Sequence, residues 1–276
     1  MGSNDAAVLP AARHPARYWL LLLGIGAVGG LLSGMFAIGG GVVLVPLLKA
    51  MVRMDHRRAV ATSLLAIVPT AVVASIAYIA NGEFDPVAAA LISVGAIAGA
   101  LVGSALLRRI PVLWLEWMFI ALLVVIAVRL ALVAPVRGDT VVFSPAVAVA
   151  YVTLGLFIGV ASGLFGIGGG VLAVPALVVL FSMSDLVAKG TSLLVVLPTS
   201  VVGTVANTRA GLTDVRAGLA VGAAAAATSV LGVRIALAMS PRLSGVLFAA
   251  LLLLVAAQLS WRAIVARRGA DAGPPD

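Results

Sequence analysis

Ten apolar stretches, separated by short polar or charged ones, run through this chain. They fall at about 18–37, 42–52, 58–80, 87–107 and 112–134, and again at about 145–166, 171–181, 187–208, 217–238 and 243–264. Most are near the ~20 residues that carry a helix across a ~30 Å hydrocarbon core. The second and seventh are not: about eleven residues of helix rise roughly 16 Å, half a membrane. These two short runs hold matching places in the series, and each follows a run of glycines. Short, glycine-interrupted segments at corresponding positions of two halves point to the binding site of a transporter.

The halves match residue by residue. GLLSGMFAIGGGVVLVPLL (Gly30 to Leu48) aligns with GVASGLFGIGGGVLAVPAL (Gly159 to Leu177) at an offset of 129, with 12 of 19 positions identical. The same offset pairs ATSLLAIVPT (Ala61 to Thr70) with GTSLLVVLPT (Gly190 to Thr199), Gly26 with Gly155, Gly82 with Gly211, Asp85 with Asp214 and Gly103 with Gly232. One offset held without a gap marks a tandem duplication of about 115–120 residues.

Composition turns this pattern into a membrane protein. Of 276 residues, 63% are hydrophobic and 10% charged, against roughly 45–50% and about 25% in soluble domains. The mean hydropathy of +1.22 agrees. There is no cysteine, which excludes disulfides, thiolate metal sites and cysteine nucleophiles. The net charge of +8 forms no single tract. Basic residues are dealt out singly and in pairs between apolar runs, as in loops beside an anionic membrane face rather than a nucleic-acid surface.

The expected organisation is a disordered cytoplasmic tail at 1–17, a first membrane repeat at 18–134, an external linker at 135–144, a second repeat at 145–264 and a cytoplasmic tail at 265–276. Tyr18-Trp19 opens the first repeat as an interfacial anchor. Arg13 and Arg17 resemble the basic region of a signal peptide, but the apolar run after them leads straight into the glycine motif. If the first two segments of each repeat form a hairpin, each repeat crosses an odd number of times and the repeats are inverted. Thirteen Lys and Arg residues then share the face of the N-terminus, among them Arg17, Lys49, Arg57, Arg58 and Arg209, while Arg137, Lys189 and Arg242 fall on the other. By the positive-inside rule the first face is cytoplasmic.

Candidate chemistry gathers at two duplicated motifs. Gly39-Gly40-Gly41 and Gly168-Gly169-Gly170 are poor helix formers. A helix opened there exposes N–H groups at the start of the next half-helix, where the macrodipole adds partial positive charge, and that is an anion site. Close packing through small residues is the competing reading. It is the preferred one for Gly26, Gly30 and Gly34 and for Gly155, Gly159 and Gly163, whose spacing by four makes a helix-contact face. The second motif holds Thr62, Ser63 and Thr70, and Thr191, Ser192 and Thr199. Their hydroxyls either donate to a ligand oxygen or bond back to their own helices. Asn207, Tyr78, Ser33 and Ser162 are weaker candidates. Phe36 and Phe165, three residues before each triplet, are gates or core aromatics. No carboxylate lies deep in an apolar run, so a cation cage, a metal site and an acid–base pair are not expected. Arg129 and Arg234 lie inside spans near their outer ends, where a long side chain snorkels to the interface.

SGMFAIGGGVVLVP and SGLFGIGGGVLAVP, together with the paired T-S…P-T motifs, resemble the TauE/SafE family of sulfite exporters, also called the toluene sulfonate uptake permease family. The resemblance runs from about residue 18 to 264, with Ala37 standing where the second copy has Gly166. It implies a bacterial inner-membrane carrier, most simply an exporter, for sulfite, sulfoacetate or other organosulfonates. The expected fold is all-α and polytopic, with two inverted repeats of about five hydrophobic segments, each beginning with a glycine-broken helical hairpin. The expected mechanism is alternating access around the paired breaks, without cofactor. A passive anion channel of the same build is the alternative, and an intramembrane enzyme or a scaffold a more distant one. The expected partners are the anion and the lipid bilayer, without nucleic acid; monomer and homodimer are not distinguished.

Overall fold

The computed structural model describes residues 16–132 and 144–271, with side chains at 16–128 and 144–261. Residues 1–15 of the expected tail at 1–17, residues 272–276 of the expected tail at 265–276, most of the linker, and Arg13, Arg137 and the side chain of Arg129 lie outside them. The described residues form ten helices: α1 (Ala16–Phe36), α2 (Gly41–Met51), α3 (His56–Ala80), α4 (Pro86–Arg109), α5 (Val112–Leu132), α6 (Pro145–Phe165), α7 (Gly170–Phe181), α8 (Asp185–Arg209), α9 (Val215–Ala238) and α10 (Pro241–Asp271). Each expected apolar segment is one helix, and only α10 runs well past its expected end. Seven are long and apolar enough to cross a membrane. With no water in the bilayer core, a spanning chain must satisfy its own backbone groups, which a helix does. Side-chain caps start the helices at the polar joints. Asp55, Asp85, Ser144, Ser184 and Asp214 each accept a hydrogen bond from a backbone N–H in the first turn that follows.

Glycine stripes decide which helices meet. A Cβ on Gly26, Gly30 or Gly34 of α1 would overlap the carbonyls of Val221, Ala225 and Ser229 on α9. A Cβ on Gly155, Gly159 or Gly163 of α6 would overlap those of Ile92, Ala96 and Ala100 on α4. Gly95, Gly99 and Gly103 return the contact from α4 to α6. In both pairs the numbers rise together, so the helices run parallel, and each pair joins one helix from each repeat. The packing-face reading of these glycines therefore holds, and the repeats are interlocked rather than side by side. α5 and α10 pack mainly on each other, outside this centre.

Contacts at the helix ends fix direction. Arg57 at the start of α3 donates to the Ile110 carbonyl at the end of α4 (3.1 Å). Arg58 pairs with Asp214 at the start of α9 (2.9 Å), so α1, parallel to α9, begins on that face as well. Lys49 at the end of α2 pairs with Glu116 in the first turns of α5, again on that face. The α1–α2 unit thus returns to the face it left. In the second repeat Phe181 at the end of α7 meets Tyr151 near the start of α6, with ring centroids 4.4 Å apart. Gly190 of α8 lies against the Glu83 carbonyl, on the opposite face. The hairpins are real and the repeats are inverted.

Candidate functional site

The two glycine triplets meet at the centre. After α1 the chain takes left-handed conformations at Ala37, Gly39 and Gly40, and after α6 at the equivalent Gly166, Gly168 and Gly169. Gly40 and Gly169, with φ of 83° and 87°, are the N-caps of α2 and α7 and offer no side chain to the helix they open. The turns bring each chain back along its own helix. A Cβ on Gly40 would stand 3.2 Å from the Gly29 carbonyl oxygen of α1, and one on Gly169 would reach Ile158 of α6. The two runs also cross each other. A Cβ on Gly41 would overlap the Gly166 carbonyl, and one on Gly170 the Ala37 carbonyl. Ile67 and Val196 plug the crossing: both side chains meet both Gly39 and Gly168, at 3.0–3.3 Å from the would-be Cβ positions.

The first backbone bonds of α2 run from Val43 and Leu44 to the Gly40 carbonyl, and those of α7 from Leu172 and Ala173 to the Gly169 carbonyl. Among the described residues, the N–H groups of Gly41, Val42, Gly170 and Val171 meet no backbone acceptor, although all four residues are buried. An unpaired buried N–H is costly. Four of them at two helix N-termini make a donor-rich centre with the polarity that suits an anion.

The hydroxyl motif divides. Ser63 donates to the Gly166 carbonyl (2.8 Å) and Ser192 to the Ala37 carbonyl (3.2 Å), each tying the other repeat's break. Thr199 donates to the Gly168 carbonyl (3.1 Å) and back to its own helix. Thr62 accepts from the Asp214 N–H (3.1 Å) and Thr191 from the Asp85 N–H (2.9 Å), at the caps of α9 and α4. Thr70 bonds within its own helix, to the Ala66 carbonyl. Asn207 donates to the Gly203 carbonyl, while its buried oxygen has no partner. Phe36 stacks on Phe248 at 5.2 Å, and Phe165 on Phe119 at 5.4 Å. Both pairs are buried and link each break to the α5–α10 pair.

Two polar clusters differ from the sequence reading. Lys189, expected among external loop charges, is 1% exposed and donates to Asp185 and to Ser244 of α10, each at 2.7 Å. Its spacing of four from Asp185 on one helix announces the ion pair but not its burial. On the opposite face, Glu116 gathers Lys49 and the buried His56, whose Nδ1 is 3.8 Å from the carboxylate. No spacing announces that cluster, because its members come from α2, α3 and α5.

A helical membrane protein of inverted repeats, centred on a pair of broken helices, has the build of a transporter. The sulfite exporter TauE/SafE profile matches residues 4–130 and 150–275. The chain belongs to that family of membrane transporters. It is 26% identical over 217 residues to the Probable membrane transporter protein YunE of Bacillus subtilis, covering 70% of this chain and 79% of that protein. It is 37% identical over 91 residues to YdhB of the same organism, 33% of this chain and 36% of the relative. It is also 32% identical over 114 residues to MamO of Magnetospirillum gryphiswaldense, 38% of this chain and 18% of the relative. No solved structure matches.

Proposed function

We propose that this transporter carries sulfur-containing oxyanions, such as sulfite, sulfoacetate or other organosulfonates, outward across a bacterial inner membrane by alternating access. The observation that carries the reading is the set of unpaired N–H groups at Gly41, Val42, Gly170 and Val171, on two half-helices that start from crossing breaks. Dipole and N–H donors favour an anion at such a start. At the crossing the carbonyls of Gly166, Ala37 and Gly168 already accept from Ser63, Ser192 and Thr199, so the groups left open there are N–H donors, which favour an anion over a cation. The triplets are the proposed binding residues, and Ser63, Ser192 and Thr199 hold them open. The Arg-rich face carrying Arg57, Arg58 and Arg209 is the proposed cytoplasmic side.

Counterflow in proteoliposomes tests this. Sulfite or sulfoacetate trapped inside should accelerate entry of the labelled anion, with saturation. Gly40→Ala and Gly169→Ala, which put a methyl at a helix start, should lower affinity more than about tenfold, or roughly 1.4 kcal/mol. Failure to move sulfite, sulfate, thiosulfate, sulfoacetate and taurine alike would overturn the substrate class.

A further inference from the structure

Ser33 of α1 and Ser162 of α6 are each 0% exposed, and neither hydroxyl has a partner. Buried helical hydroxyls normally bond back to the preceding turn, as Ser63 does to Val60, Thr70 to Ala66 and Thr199 to Val195. Of the unpartnered buried hydroxyls, these two alone are related by the 129-residue offset of the repeat. An isolated orphan is an accident of packing. The same orphan in both copies of a diverged duplication, beside both breaks, is a feature of the site.

Their position follows from helix geometry. Gly40 lies level with Gly29, and Ser33 is one helical turn further along α1, roughly 6 Å. α2 runs back toward the face where α1 began, so its amino end points along α1 toward Ser33. In the second repeat Ser162 stands four residues beyond Ile158, the residue Gly169 packs against. Its Cβ is 3.5 Å from where a Cβ on Gly169 would be. Each serine thus stands ahead of one half-helix N-terminus.

We propose that Ser33 and Ser162 are the side-chain ligands of two separate oxyanion positions, one ahead of α2 and one ahead of α7. The crossing backbone, with Ile67 and Val196, fills the space between the two half-helices, so a single shared anion is not accommodated. Two N–H groups (Gly41 and Val42, or Gly170 and Val171) and one hydroxyl give each position three donors. That is the number of oxygens on a sulfite or a sulfonate head, so the class of ligand is the –SO3 group. The positions are not identical. Next to Ser33, the Gly34 carbonyl accepts from Tyr78 (3.0 Å), whereas Asn207, at the position equivalent to Tyr78, bonds within its own helix. Two affinities follow. This inference rests on the anion-binding reading of the breaks.

Titration calorimetry of the purified protein with sulfite and with sulfoacetate decides it. The parent should bind two anions per chain. Ser33→Ala and Ser162→Ala should each weaken one position by about tenfold or more and leave the other, and the double variant should lose both. Ser→Thr, which keeps the hydroxyl, should restore binding. Removing an unpartnered hydroxyl should leave anion-free thermal stability unchanged or higher, which a purely structural serine would not. One anion per chain in the parent, or alanine variants that bind like it, overturns the inference. If Gly40→Ala and Gly169→Ala lose binding while the serine variants keep it, the inference falls and the transport reading stands. A parent that binds no member of the anion panel removes both.

Discussion

A single residue type does three different jobs in this chain, and the side-chain space around each glycine tells them apart. Gly24 faces outward with nothing within 4 Å of a Cβ. Gly30 admits the Ala225 backbone where a Cβ would stand, so a methyl must push two helices apart. Gly40 has a left-handed backbone, and a Cβ there would stand tightly against the Gly29 carbonyl oxygen at 3.2 Å. Gly24→Ala should therefore hold or raise stability, by up to about 1 kcal/mol. Gly30→Ala should cost about 1–3 kcal/mol by overpacking, read as thermal unfolding in detergent. Equal losses for both would show that contact does not govern these positions. Ala37 shows why the two copies differ. It tolerates a left-handed φ of 55°. At the equivalent Gly166 a Cβ would come within 2.8 Å of the Val60 side chain and carbonyl, and 2.9 Å of the Ser63 hydroxyl.

At the scale of elements, Lys189 is the buried charge that ties the long helix α8 to α10 of the outer pair. Lys189→Ala removes the partner of Asp185 and Ser244 in a buried setting. Unpairing such a charge costs about 3 kcal/mol or more, and Asp185→Asn in a Lys189→Met background should recover most of it. Unfolding of Lys189→Ala at the parent's temperature would refute the assignment. The element order was legible because apolar run length and helix length measure the same thing in a membrane. The breaks were legible because half-length runs and glycine triplets coincide. The burial of Lys189 was not, since a charge count treats a helix's first turn as loop. Nor does the sequence show which hydroxyls find a partner. Ser63 and Ser33 look alike until the Gly166 carbonyl, 103 residues from Ser63, arrives beside one and nothing arrives beside the other. The aromatic rings at Phe36 and Phe165 are buried and stack on Phe248 and Phe119, partners that no spacing in the sequence announces.

For the whole molecule, inversion has a direct test. Gly82 and Gly211 are equivalent, exposed turn residues with nothing within 4 Å of a Cβ, in a chain that has no cysteine of its own. Gly82→Cys should react with an impermeant thiol reagent only from outside the cell, and Gly211→Cys only from the cytoplasm. Labelling of both from one side would refute the inverted topology.

The cross-repeat glycine stripes also bear on how the chain is made. When α1 to α5 enter the bilayer, the carbonyls that fill the notches of α1 belong to α9, and those that meet α4 belong to α6. Neither helix has yet been synthesised. The break after α1 is in the same position, since the Ala37 carbonyl waits for Ser192, and so is α3, whose Thr62 hydroxyl waits for Asp214. The first half therefore leaves the insertion machinery as five spanning or half-spanning segments without their close partners. Its assembly waits on translation of residues 57 positions downstream for α4 (Gly95 to Val152) and 195 for α1 (Gly26 to Val221).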